Sequence, residues 1–419
     1  MTQERPGLSP PPALSPRSAW ILVGLMWIAY FLNYTDRQVV FSIFPILESE
    51  LRFTPTQLGL TGSVFLWIYA LCNPLAGMLG DRLPRRTLIV SSLVAWSGIT
   101  ALTGASTSAV MLLACRGLMG VAEALFFPSA LTLTAHAHGP QTRSRAVALF
   151  STAQILGIVM GGWYGGWMGE RREWRWAFYS LGIAGMLYAI PYYFLLRRSS
   201  EPPAPPRRDE SKVSLVRIPS YLLLCTVFPS FTFVLWLLYA WLPDFFYNRF
   251  SLSLGEAGFA STAFLQGGTV AGLVVGGVLA DRLHGRVRAA RFWLVAAGLL
   301  LCAPGVLVVA NSGSLPVAKI AAAGFGVGCG LAVSNFFPSC FEVVPRSAHA
   351  TAVGFLNLLG GLVSGFAPLL AGLVKKSVGI PALMTLAGAI CLLAAGVLVA
   401  GMRRWFLADA VRAQAGSDL

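Results

Sequence analysis

The chain is 419 residues long, 56% hydrophobic and only 11% charged, with a mean hydropathy of +0.69. That balance excludes a soluble globular protein of this size and places the chain in a bilayer. A net charge of +14 raises the question of nucleic acid, but the basic residues cluster on loops between apolar runs, where topology and anionic headgroups account for them; no nucleic-acid partner is expected.

A membrane span needs about 20 apolar residues, and the sequence supplies roughly twelve such stretches. They are expected at approximately 18–45, 57–80, 87–107, 109–133, 145–168, 174–196, 219–247, 257–280, 290–310, 316–340, 349–373 and 380–402. Residues 1–17, rich in proline, read as a disordered cytoplasmic tail, and the first apolar stretch is too long for a cleaved signal peptide. Residues 197–218, proline-rich and charged, read as a cytoplasmic linker unable to bury apolar surface. The linker divides the chain into six-span halves, 18–196 and 219–404, with 405–419 as a cytoplasmic tail. Roughly 21 Lys and Arg fall on loops facing the N-terminal side against about 8 on the other, so both termini are expected inside the cell. The expected location is the plasma membrane, or the inner membrane of a Gram-negative source.

The first span carries Asn33, Tyr34, Asp36 and Arg37 deep in a hydrophobic run. An ionised side chain at membrane depth costs roughly 2.5–3.5 kcal/mol or more, so these charges need partners or water, and a cavity is expected beside them. Asn33 and Arg37 share a helix face. In the fourth span Arg116 and Glu123 lie two turns apart along one face. Because the first and fourth spans run in opposite directions, Asp36 and Arg116 are expected at similar depth, as a pair, with Glu123 nearer the middle. That pairing leaves Arg37 and Glu123 free. A guanidinium suits bidentate capture of a carboxylate or phosphate, and a carboxyl in low dielectric is suited to carrying a proton. The same charges would also serve as a structural network holding the two helices in register.

The halves echo each other. Gly77-Met-Leu-Gly-Asp81-Arg82 after the second span is repeated as Gly277-Val-Leu-Ala-Asp281-Arg282 after the eighth, and Phe126-Phe-Pro-Ser129 as Phe336-Phe-Pro-Ser339. Two motif pairs in one order around a central linker mark a repeat-built transporter.

The run Gly77-Met-Leu-Gly-Asp-Arg-Leu-Pro-Arg-Arg86 resembles the loop signature of the major facilitator superfamily, with Pro84 where that signature usually has a second glycine. The resemblance implies an all-α membrane protein with twelve transmembrane helices in two pseudo-symmetric six-helix bundles. Gly77, Asp81, Arg82, Asp281 and Arg282 are then a gating element, glycine allowing close helix approach and Asp81 capping a helix N-terminus or pairing with an arginine. Asn33 to Arg37, Arg116 to Ser129, Gln154 and Trp174 to Tyr179 resemble the anion:cation symporter branch, which includes sugar-acid and other organic-anion transporters related to sialin. By that resemblance Asp36 and Glu123 are proton-coupling carboxylates, Arg116 partners Asp36, and Arg37 anchors a substrate carboxylate. Tyr34, Tyr69, Gln154 and Asn357 then hydrogen-bond the substrate. The first-half motifs are also similar to those of spinster-like transporters, so lipid or lysolipid transport is the alternative. The second half adds Tyr239, Gln266, Asn335 and Asn357 but no equally deep charge, so coupling is expected in the first.

The sequence has no phosphate-cradling motif and no paired nucleophile and base, and its seven cysteines lack metal-ligand spacing. No cofactor, metal or enzymatic activity is expected. The expected partners are a small organic anion, protons and membrane lipids, with the protein a monomer. His136, His138, His284 and His349 read as exposed loop residues and Asp244 and Glu342 as interfacial. Trp20, Trp174, Trp176 and Trp405 read as headgroup anchors, with Trp67 and Trp236 deeper.

Overall fold

The computed structural model describes residues 15–196, 214–283 and 285–415. Twelve helices among them are long and apolar enough to cross a membrane: α1 (Arg17–Ser42), α2 (Pro55–Gly80), α3 (Arg85–Gly104), α4 (Ala109–His136), α5 (Gln141–Glu170), α6 (Trp174–Leu195), α7 (Pro219–Phe250), α8 (Leu254–Leu283), α9 (Ala290–Asn311), α10 (Leu315–Val343), α11 (Arg346–Val374) and α12 (Ile380–Ala413). Local chemistry sets several boundaries. α2 opens with a capping box in which Gln57 N–H donates to Thr54 Oγ1 at 3.2 Å and Thr54 N–H to Gln57 Oε1 at 2.9 Å, with Pro55 at the first helical position.

Helix pairing shows the duplication. α1 packs along α5, α2 along α4 and α3 along α6; in the second half α7 packs along α11, α8 along α10 and α9 along α12. Adding six to each label in the first set produces the second. The two seams between the bundles, α5 against α8 and α2 against α11, exchange under the same operation. This is the major facilitator fold, two pseudo-symmetric six-helix bundles.

The seams are tight at the end remote from the termini. A Cβ at Gly258 of α8 would overlap the Gly162 carbonyl of α5, and one at Gly59 of α2 would overlap the Pro368 carbonyl of α11. Only glycine lets these backbones meet. The Gly255 N–H at the start of α8 donates to Glu170 Oε1 at 2.6 Å. Lys375, just past α11, reaches Glu48 in the short helix Phe44–Glu50 at 3.4 Å and Asp244 of α7 at 3.0 Å. Toward the terminus-bearing end the seam helices diverge: Leu71, Leu75, Met78 and Leu79 of α2, Val270, Val274 and Val278 of α8, and Phe355 of α11 are exposed. The fold is thus sealed at one end and splayed at the other.

Several sequence expectations change. Asp244 is 2% exposed and ion-paired rather than interfacial, because α7 runs on past it to Phe250. His138 is buried, with Nε2 3.3 Å from the Ala19 carbonyl and its ring edge-on to Trp20 at 4.8 Å; the loop it starts folds back on α1. Trp174 is buried and its indole N–H donates to Glu50, so it packs rather than anchors. The last helix continues to Ala415 instead of ending near 404, because Asp409 accepts the Ser220 N–H at the start of α7 at 2.8 Å and Phe406 packs on Phe292. Most of the expected N-terminal tail and linker, His284 and the Asp81 side chain lie outside what the structure describes. Arg82, Asp281 and Arg282 are exposed at the terminus-bearing end.

Candidate functional site

The four deep charges converge where α1, α2, α3 and α4 meet. Arg37 is 5% exposed and Glu123 1%. Both the Nε and an Nη of Arg37 donate to Glu123 Oε2, the Nε bond measuring 3.2 Å. One turn back, Asn33 Oδ1 accepts from the same Nη at 3.3 Å, as residues four apart on a helix should. Three rings surround the guanidinium: Tyr34 at 4.3 Å, Phe65 at 4.6 Å and Tyr69 at 5.2 Å. Phe65 and Tyr69, four apart on α2, stack at 5.6 Å. This box holds a desolvated cation by cation–π attraction while leaving its planar fork pointed at a carboxylate.

The expected pair between Asp36 and Arg116 is not formed. Asp36 instead accepts from the Thr100 hydroxyl of α3 at 2.9 Å, and Arg116 donates its Nε to the Thr61 carbonyl of α2 at 3.1 Å while lying 4.8 Å from the Phe65 ring. Opposed helix directions constrain how far along its helix each residue sits but not its azimuth. Successive helical side chains diverge by about 100°, so once Arg37 faces α4, Asp36 is turned toward α3. Arg37 and Glu123, expected to be free, hold each other. Asn33 Nδ2, Asp36 Oδ1, Arg116 Nη2 and Glu123 Oε1 are buried without a hydrogen-bond partner among the described residues. These polar valences lie within one cluster.

Glu123 lies just before a break in α4. The helical segments run Ala109–Ala124 and Phe126–His136, and Pro128 cannot donate to the Ala124 carbonyl four residues back. The Ser92 hydroxyl of α3 donates to the Ala122 carbonyl, one residue before the carboxylate.

The structure gathers most of the sequence-derived residues. Tyr34 and Tyr69 flank Arg37, and Gln154 of α5 accepts from the Tyr30 hydroxyl at 3.1 Å, whose ring meets Tyr34 at 5.1 Å. Asn357 stands exposed on α11, and no hydrogen bond among the described residues joins it to the charges. Tyr30, Phe65 and Thr100 were missed. Tyr30 was legible, since it precedes Tyr34 by four and Arg37 by seven on one face; Thr100 carries no signal beyond a hydroxyl in an apolar run.

Comparison with known proteins agrees with this architecture. The chain matches the sequence profile of the Major Facilitator Superfamily over residues 26–368 and again over 250–412. It is 26% identical over 400 residues to a Bacillus subtilis protein named as a probable galactarate/D-glucarate transporter, covering 86% of each chain. It is 27% identical over 300 residues to one named as a probable sulfoacetate transporter from Cupriavidus necator, covering 67% of this chain and 69% of that one. Among solved structures it resembles the inward-facing, unoccupied form of a bacterial homologue of the human lysosomal transporter spinster, with a TM-score of 0.73 and 21% identity over 97% of this chain and 96% of that one.

Proposed function

The chain belongs to the Major Facilitator Superfamily, a transporter family, and from that premise we propose that it carries a small organic anion, a sugar acid or other carboxylate, together with protons by alternating access. The observation that carries this reading is the buried Arg37–Glu123 pair inside its aromatic box. A substrate carboxylate needs the fork that Glu123 occupies. Protonating Glu123 removes its charge and releases Arg37, so proton and anion arrive together; deprotonation returns Glu123 to Arg37 and expels the anion. Asp36, held by Thr100 and near Arg116, is the second proton-exchanging carboxylate in this scheme. Tyr34, Tyr69, Gln154 and Asn357 supply hydrogen bonds to the substrate. The names of the two relatives, both transporters of organic anions, support the substrate class.

With basic loops inside, the protein sits as a monomer in the plasma membrane with both termini cytoplasmic. The sealed end is then external and the conformation is open inward. Gly77, Asp81, Arg82, Asp281 and Arg282 act at the cytoplasmic gate.

One observation favours a second reading, lipid or lysolipid transport. A groove of about 600 Å³ runs along the α5–α8 seam, lined by Phe31, Leu156, Met160, Trp163, Trp167 and Phe259 among others, and an acyl chain would suit it. The deciding experiment is substrate-driven proton uptake by proteoliposomes, with sugar acids, simple carboxylates and lysophospholipids offered separately. A small anion moving protons supports the first reading; flux with lysolipids alone overturns it.

A further inference from the structure

The second half contributes its own polar group to the site. Pro243 lies inside α7 and, lacking an N–H, cannot bond the Tyr239 carbonyl four residues back. Gln38 of α1, next to Arg37, takes that carbonyl instead, its Nε2 donating at 3.1 Å across the two halves. The missing helix bond thereby ties the Tyr239 backbone to the residue that follows Arg37 in the chain. Its hydroxyl is equally constrained: Gln266 of α8, 2% exposed, donates Nε2 to Tyr239 Oη at 3.0 Å. Three residues back on the same face, Trp236 meets the Tyr239 ring edge-on at 5.7 Å and packs against Phe65, Leu66 and Met119. A phenol with its oxygen already accepting keeps its proton to donate, and among the described residues no acceptor for that proton is present.

We propose that Tyr239 is the specificity residue of the second half: its hydroxyl, oriented by Gln266, donates to a hydroxyl oxygen on the carbon chain of a carboxylate held by Arg37, so the preferred substrate is a hydroxylated carboxylate. This rests on the organic-anion reading and narrows it. An anion spanning Arg37 and Tyr239 touches both halves. An apolar carboxylate of the same length leaves the phenol proton unpaired, and a site built around a donor discriminates against a ligand that cannot accept from it.

The test is binding of D-gluconate and of hexanoate, the same carbon count with and without hydroxyls, to the purified full-length protein. The wild type is expected to bind gluconate about tenfold or more tightly than hexanoate. Tyr239→Phe, which removes one oxygen, is expected to weaken gluconate about tenfold and leave hexanoate within about twofold. Gln266→Met should weaken gluconate in the same direction, and the double variant no further than Tyr239→Phe alone, because the two act through one hydrogen bond. Equal weakening of both ligands by Tyr239→Phe would make the residue structural and overturn the proposal, as would a gluconate preference untouched by the substitution. A wild type that binds both ligands equally leaves the anion reading standing and removes this one. A wild type that binds neither removes both.

Discussion

Arg37 and Glu123 lie 86 positions apart in the chain, yet two nitrogens of the guanidinium converge on a single carboxylate oxygen. The other oxygen, Oε1, has no partner among the described residues. A bond so arranged can be undone by one proton without dismantling the surrounding helices.

Glu123→Gln is therefore expected to uncouple transport. The amide keeps an oxygen for Arg37 but cannot exchange a proton, so proteoliposomes should retain substrate counterflow and lose accumulation driven by a pH gradient. Glu123→Ala removes the partner altogether and leaves a buried cation, with an expected loss of about 3–5 kcal/mol seen as a lower thermal midpoint. Normal gradient-driven uptake by the Gln variant would place coupling elsewhere.

Arg37→Lys keeps the charge and discards the planar fork. Binding of a small carboxylate should weaken about tenfold or more, since a point charge cannot reproduce two parallel hydrogen bonds. Titration of the purified variant checks this, with equal affinity as the contrary result.

Thr100 is the partner of Asp36. Thr100→Val leaves a buried carboxylate short of its donor at a cost of about 1–3 kcal/mol, whereas Thr100→Ser restores the hydroxyl. The expected order of thermal midpoint and of transport rate is wild type, then Ser, then Val; identical behaviour of the two variants would show that the hydroxyl has no part.

Lys375 divides its charge between Glu48 of the first half and Asp244 of its own. Glu48→Gln loosens the seal, while Asp244→Asn leaves Lys375 to Glu48 alone and tightens it. Because Glu48 is 39% exposed at its side chain, its bond to Lys375 is worth about 1 kcal/mol at most, so either change should alter the seal only a few-fold. Labelling of a cysteine placed at Ser42, 2% exposed beside the Gly258 seam, by a membrane-impermeant thiol reagent should speed up in the first variant and slow in the second.

Gly258→Val sets a branched side chain against the Gly162 carbonyl, which the α5–α8 crossing cannot accommodate without moving backbone. The bundles still fold, but the sealed state is disfavoured, so the same cysteine should label faster and substrate exchange should fall. Gly258→Ala should show a smaller effect in the same direction.

The sequence by itself determined the membrane, the twelve spans, the doubled architecture and which side chains are buried charges. These are one-dimensional properties: hydropathy sets whether a segment lies in lipid, and a rise of about 1.5 Å per residue sets the depth of each side chain within it. That rise led to the expectation that Asp36 is level with Arg116 and Glu123 deeper. Only the tertiary structure decided which neighbour each charge faces, because rotation of a helix about its axis is set by packing against all its neighbours at once. That rotation gave Arg37 to Glu123 and Asp36 to Thr100. Contacts across the halves were equally hidden: Gln38 with Tyr239 and Lys375 with Glu48 join residues 201 and 327 positions apart, and no local pattern of side chains specifies how the two bundles meet.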